Sequence, residues 1–263
     1  KNLNAEIEAK IAAEKAKAEA EEKESSGSTQ NSSQNKNTSG GSANNNSGGS
    51  TNNNSGGSAN NNSGGTKYCY LTFDDGPSNN TLKIIDILAK YNAKATFFVT
   101  GSGNSDYMKK IVDSGHTIAL HTYTHNFSQI YKSTDAYFKD LEKIRSLVKE
   151  KTGVNANLIR FPGGSSNTVS RQYCKGIMST LVDEVENRGY YYFDWNCDSG
   201  DASGNNVAVS KLVSNVKAYG NGNSVVVLMH DTASKNTTVQ ALPQIIEYFQ
   251  SRGYQIVGLT ENS

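Results

Sequence analysis

Between Asp74 and His230 lies a scatter of polar residues whose types would make chemical sense if the fold brought them together. His121 and His125 are four apart in LHTYTH, a spacing that on one helical turn would stack two imidazoles on one face and offer two nitrogens to one ion. Asp75, in TFDDGPS, adds a carboxylate, and two His with one Asp suit Zn²⁺, with Co²⁺ or another divalent ion also accommodated, and leave a position open for water. Asp74 is its neighbour; adjacent carboxylates need separate tasks, and Asp74 is assigned that of general base. His230 ends the apolar run VVVLMH, and an imidazole with an ordinary pKa of about 6.5 suits a general acid that protonates a leaving amine. Taken singly, each signal has a bland reading: HxxxH is more often helix surface, and Asp-Asp-Gly-Pro is a plain turn shaped by Gly76 and Pro77.

The weight comes from what must position them. Asp74 and Asp75 follow the β-rich run YCYLTF, His121 and His125 follow HTIAL, and Arg160 ends LIRF. Asp198 and Asp201 follow YYFDW, and His230 follows VVVLM. Parallel barrels build their sites at this C-terminal end of the strands. His116, by contrast, begins its strand on the far side and receives no role. Helical patterns are expected near residues 80–91, 104–114, 133–151, 175–188, 206–218 and 235–251, alternating with the strands, and YQIVGL closes the series. About seven strand-helix units in an α/β chain of this size predict an irregular (β/α) barrel in preference to a doubly wound sheet.

Only part of the 263 residues can build that barrel. Residues 1–26, dense in Ala, Glu and Lys with Glu6/Lys10 and Glu19/Lys23 at helical spacing, predict a charged solvated helix. Residues 27–66, with the eight-residue repeat SGGSANNN, SGGSTNNN, SGGSANNN, predict a flexible Ser/Gly/Asn linker spanning about 35 Å. Residues 67–263 form the expected catalytic domain. With 26 basic and 25 acidic residues the chain is near neutral, which argues against nucleic acid as the main partner. No run of 18 apolar residues exists to span a membrane. The first residue is Lys1, which predicts a processed form with an upstream signal or anchor removed, and a secreted or surface location. Cys69, Cys174 and Cys197 match no zinc pattern; a Cys174–Cys197 disulfide is open to such a protein.

Five motifs occur in order: TFDDGPS at 72–78, HTYTH at 121–125, RFPGG at 160–164, DSGDA at 198–202 and LMH at 228–230. Together they resemble the NodB-homology polysaccharide deacetylases of carbohydrate esterase family 4, over residues 67–260. The resemblance implies a distorted (β/α) barrel and metal-dependent hydrolysis of an acetamide on a sugar polymer. It implies Asp75, His121 and His125 as ligands, Asp74 as base, Arg160 as its holder, and Asp201 as the group that keeps His230 charged. The backbone N–H of Gly163, after Pro162, is the implied oxyanion donor. Two departures fall where substrate should lie: RFPGG replaces the family's Arg-x-Pro-Tyr, and Ala202 follows Asp201 where Trp is usual, with Trp195 seven residues earlier. Trp195, Tyr123, Phe127, Phe161 and Leu228 are groove candidates. A monomer acting on wall peptidoglycan, at N-acetylglucosamine first, is expected. N-acetylmuramic acid, chitin oligomers and acetylxylan are competing substrates, and a non-catalytic carbohydrate-binding module is the alternative from another class.

Overall fold

The computed structural model describes residues 66–263; the helix expected at 1–26 and the linker expected at 27–66 lie outside the described residues, Thr66 apart. Among the described residues there are eight strands: β1 (Lys67–Asp74), β2 (Ala95–Val99), β3 (Thr117–Leu120), β4 (Leu158–Ile159), β5 (Tyr191–Tyr192), β6 (Cys197–Asp198), β7 (Ser224–His230) and β8 (Tyr254–Ile256). They alternate with helices α1 (Asn79–Lys90), α2 (Met108–Asp113), α3 (Phe127–Ile130), α4 (Thr134–Thr152), α5 (Ile177–Asn187), α6 (Val209–Tyr219) and α7 (Asn236–Ser251). Every strand pair is parallel, as strands separated by helical crossovers must be. No helix among the described residues is long and apolar enough to cross a membrane.

The sheet runs β5-β4-β3-β2-β1-β7-β6, with β8 added on β1. β1 is its axis: β7 pairs with Tyr68–Asp74, β2 with Leu71–Asp74, and β8 with Lys67–Cys69. Strand alternation divides the side chains into two cores. Cys69, Leu71 and Phe73 join the large cluster with Ile84, Leu88, Leu242 and Ile246 of the helices, while Tyr70 meets Phe98, Ala119, Leu158 and Leu259 in a small inner cluster. Thr72 and Asp74 follow Tyr70 at the same period, so the inner face turns from apolar to polar towards the strand ends. Helix α1 shows why the outer layer holds. Ser78 and Thr81 form a reciprocal capping box, and Thr81, Ile84, Ile85 and Leu88 are buried at helical spacing.

The irregular barrel expected from the sequence is the observed fold, with one change of architecture. YYFDW is not one strand. Tyr191–Tyr192 pairs with β4 and Cys197–Asp198 with β7, at opposite ends of the sheet order. Only residues 193–196 join them, about 17 Å at full stretch, so the sheet has to curl until its edges nearly meet. Phe193 N–H donates to Ile159 O (2.9 Å) on one side of this seam and Asn196 N–H to Val226 O (3.2 Å) on the other. The expected 104–114 helix begins as a 3₁₀ turn, Ser105–Tyr107, before α2. The disulfide considered for Cys174 and Cys197 is not formed: all three thiols are free, and Cys197 points its Sγ at Val216 O (3.8 Å) of α6, while Cys174 precedes α5.

Candidate active site

At the C-terminal rim, Asp75, His121 and His125 bring one ligand atom each to within 4.8 Å of the others. Asp75 Oδ1 lies 3.7 Å from His121 Nε2 and 3.5 Å from His125 Nε2. That oxygen is buried and has no hydrogen-bond partner, a costly state for a carboxylate unless something else completes it. His121 Nδ1 is 2.8 Å from Arg160 O, which fixes the hydrogen on Nδ1 and leaves Nε2 free. Burial, followed by the neighbouring His125, holds the His121 pKa down at about 3, so the ring is neutral, as a ligand must be. The residues present therefore fit a divalent cation.

The pair of histidines does not ride a helical turn, contrary to expectation. Residues 121–125 form a loop in which Thr122 (φ 64°) and His125 (φ 49°) are left-handed, as is Asp75 (φ 74°). Among the described residues only Asn92 is a further non-glycine with positive φ, so three of four such residues gather here. A β-branched residue in that region is costly, about 1–3 kcal/mol, and such strain concentrates at functional sites.

Asp74 is 2% exposed and meets a guanidinium from below: Arg160 NH1 donates to Oδ1 at 2.9 Å. Arg160 is itself fully buried and spends its fork widely, on Thr72 Oγ1 (2.7 Å), Phe193 O (2.9 Å) and Asp194 O (3.1 Å). Its plane also lies over Phe98, 4.2 Å from the ring centre. The residue assigned to hold Asp74 thus fills the seam between β5 and β6 as well. Thr72, which sequence reasoning overlooked, passes its own hydrogen to Val227 O (2.6 Å) and so presents a lone pair to Arg160. Its only signal was its place two residues before Asp74 on a period-two strand.

His230 stands opposite Asp74 in the parallel register of β1 and β7. Its Nδ1 is 2.7 Å from Asp201 Oδ1, and its backbone N–H donates to Oδ2 at 2.8 Å. Thr238 Oγ1 donates to the same Oδ2 (2.8 Å), while Lys235 Nζ clamps the turn through Asp201 O (2.8 Å) and Gly204 O (2.9 Å). Burial works to lower the His230 pKa, but the Asp201 hydrogen bond and charge, helped by Asp74 and Asp75, outweigh it and raise it to about 9. Asp201 is shifted the other way: burial opposes ionisation, and the His230 charge and hydrogen bonds prevail to keep its carboxyl below the usual range. Asp198, named beside it in the motif, is exposed and merely accepts from Gly200 N–H (2.7 Å).

Gly163 is exposed with φ 79°, at the top of a turn braced by Tyr131 Oη donating to Pro162 O (2.7 Å). Phe127 packs beside both Gly163 and the His125 ring. Trp195, half-buried, lies against Gly164, and Asp194 accepts from Ser165 N–H at 2.9 Å, tying this turn to the seam. Leu228 and Phe161 are different. Both are buried, Leu228 two residues below His230 and Phe161 among Tyr137 and Tyr192, so they floor the site and do not line it. Tyr123 packs on Gly101 with Lys143 Nζ over its ring at 3.7 Å. His116 accepts from Ala95 N–H (3.3 Å) at the opposite end of the strands, with its pKa lowered to about 4 by burial.

Sequence reasoning also passed over Asp231. It is buried beneath the Asp75–Gly76 turn and accepts from Thr81 Oγ1, and burial drives its carboxyl up to about 7, against that hydrogen bond and with the charges of Asp75 and Asp74.

With this geometry in hand, comparison with known proteins is direct. The family model described as polysaccharide deacetylase matches residues 61–180. A peptidoglycan-N-acetylglucosamine deacetylase of Bacillus cereus is 30% identical over 204 residues, 75% of this chain and 71% of the relative. A chitin deacetylase of Colletotrichum lindemuthianum is 28% identical over 204 residues, 73% of this chain and 77% of the relative. Among solved structures, the catalytic domain of peptidoglycan N-acetylglucosamine deacetylase from Eubacterium rectale aligns with TM-score 0.72 and 47% identity, covering 76% of this chain and 91% of that one.

Proposed function

This chain belongs to the polysaccharide deacetylase family, and from that premise we propose that it hydrolyses N-acetyl groups on peptidoglycan, at N-acetylglucosamine first, releasing acetate and leaving a free amine. One observation carries the reading. Asp74 and His230 are register partners on adjacent strands, and the Asp75, His121 and His125 ligand atoms converge on the same rim. A base, an acid and a cation site thus share one small volume.

Asp75, His121 and His125 would hold the cation, Zn²⁺ being the proposed identity from two nitrogens and one oxygen. Bound there, a divalent ion supplies Lewis-acid polarisation of an acetyl carbonyl and makes water more acidic. The remaining work belongs to the chain. Asp74, locked by Arg160, takes the proton from the attacking water as its oxygen bonds to the acetyl carbon. Gly163 N–H is the proposed donor to the developing oxyanion. As the carbon–nitrogen bond breaks, His230 gives its proton to the leaving nitrogen, and Asp201 keeps it charged until then. Fixing Asp74 in one orientation costs nothing at the moment of reaction, because Arg160 is already committed.

Trp195 against Gly164 supports a sugar-stacking wall on the side where RFPGG lacks an aromatic residue. The peptidoglycan preference draws its support from the Eubacterium and Bacillus relatives. A secreted, wall-facing location follows only as part of the same proposal. Acetate release from purified peptidoglycan and from chitin oligomers tests it, using metal-stripped protein, Zn²⁺-loaded protein and Asp74→Asn. Release from peptidoglycan that needs metal and is lost in the variant supports the proposal. Faster release from chitin oligomers overturns the substrate, and no release from either polymer overturns the activity.

A further inference from the structure

Gly76 is a glycine for a reason that its turn does not explain. It is absent from the positive-φ residues, so backbone conformation does not demand it. What demands it is Asp231: a Cβ on Gly76 would collide with both carboxylate oxygens of that side chain. The turn that carries Asp74 and Asp75 therefore rests flat on a buried carboxyl supplied by the residue after His230.

The contact is one part of a clamp. Asp231 N–H donates to Asp74 O at 3.2 Å, Asp231 O accepts from Ser78 Oγ, and Asp231 Oδ2 accepts from Thr81 Oγ1. Thr81 Oγ1 in turn accepts from Ser78 N–H (2.7 Å), so the carboxyl also steadies the cap of α1. Asn80 Nδ2 adds a bond to Thr232 O (3.0 Å). The opposite side of the turn is held mainly by backbone, Asp75 N–H to Phe98 O (3.2 Å), Thr100 N–H to Gly76 O (2.9 Å) and Asn104 N–H to Pro77 O (2.8 Å), with Thr100 Oγ1 donating to Asp75 O (3.3 Å). Asp231 is 1% exposed and leaves Oδ1 without a hydrogen-bond partner. A residue retained for stability alone would be better apolar at such a place.

We propose that Asp231 is a positioning residue that fixes the Asp75–Gly76–Pro77 turn and so holds the Asp75 carboxylate where a divalent cation can use it. The proposal rests on the reading of Asp75, His121 and His125 as the cation site. The left-handed Asp75 needs such over-determination, because nothing in its own backbone preference would keep it there.

Metal-free wild type, Asp231→Ala, Asp231→Asn and Thr81→Val would be titrated with Co²⁺ by absorbance and calorimetry, with amide exchange measured at Asp75 and Thr100 and kcat and KM measured on the loaded enzymes. In Asp231→Ala the Co²⁺ affinity should fall about 10- to 100-fold, as loss of a ligand's supporting partner commonly does. Exchange at both amides should quicken, and kcat should drop with KM nearly unchanged. Asp231→Asn, which keeps the shape and an acceptor for Thr81, should recover most of the affinity. A folded Asp231→Ala that binds Co²⁺ like wild type, with unaltered exchange, overturns the proposal. Should that variant fail to fold, Thr81→Val decides: weakened Co²⁺ binding supports the clamp and wild-type binding overturns it. Wild type that takes up no Co²⁺ overturns the cation reading itself, a result distinct from equal binding by wild type and variant.

Discussion

The two halves of the site are built in opposite ways. Asp75, His121 and His125 stand on loops, with left-handed backbone at two of the three and side chains that include the half-exposed His125. Asp74 and His230 stand at the ends of regular strands, nearly all of their side chains hidden, each already paired with a buried opposite charge. An ion needs donors that converge on a point, and here loops at the strand ends supply that convergence. Proton carriers need tuned affinity, which burial and a fixed partner provide. Geometry governs the first half, and electrostatics governs the second.

If that division is right, Asp74→Asn should lower kcat by about 10²- to 10⁴-fold while Co²⁺ affinity stays within a few-fold of wild type. Parallel kinetics and titration would show it, and loss of both properties together would break the division. Asp201→Asn comes next, with kcat down by about 10²-fold and a change in pH dependence. His230 is raised from its ordinary value to about 9, so its acid form should serve up to about pH 9 and the alkaline limb should fall above that. The variant removes the largest influence that opposes burial and should move that limb to lower pH. The sign for stability follows: with the folded pKa raised, the His230–Asp201 contribution is complete below the unfolded pKa and is lost as pH rises through about 9. Thermal unfolding at neutral and at strongly alkaline pH, in wild type and variant, would check it.

Smaller effects sharpen the loop half. Saturating Zn²⁺ at about 100 times Kd should add about 2.7 kcal/mol and raise Tm by roughly 5–10 °C over chelated protein, and His125→Ala should abolish the difference. Smallest of all, Asn92→Gly should change stability by no more than about 0.5 kcal/mol and leave kcat and Co²⁺ affinity untouched, since this left-handed residue lies outside the site.

Much of this was legible from local pattern. Strand alternation placed β1, β2, β3 and β7, helical spacing placed α1, α4, α5 and α7, and the strand-end positions brought Asp74, Asp75, His121, His125, Arg160, Asp201 and His230 to one rim. What escaped depends on partners distant in the chain. The break in YYFDW arises because β4 and β7 claim its two ends, a competition invisible within five residues. The HTYTH spacing is compatible with a helix or a loop, and the left-handed backbone at Thr122 and His125 that makes it a loop is not written in the spacing. Asp231 matters through Gly76 and Thr81, roughly 150 positions earlier, and Arg160 matters to the seam through carbonyls that carry no sequence identity.

The pairing of β8 with the start of β1 has a consequence for how the molecule is made. Val257 N–H reaches back to Cys69 O (3.1 Å), and β7 and β8, two of the three neighbours of β1, come from residues 224–256. A chain emerging from a ribosome N-terminus first therefore carries its central strand, with the future catalytic turn attached, without two of its three neighbours until residues 224–256 have been synthesised. Such long-range closure favours slow folding and dependence on chaperones. It also makes residues 254–259 hard to dispense with, since Tyr254, Ile256 and Leu259 are buried.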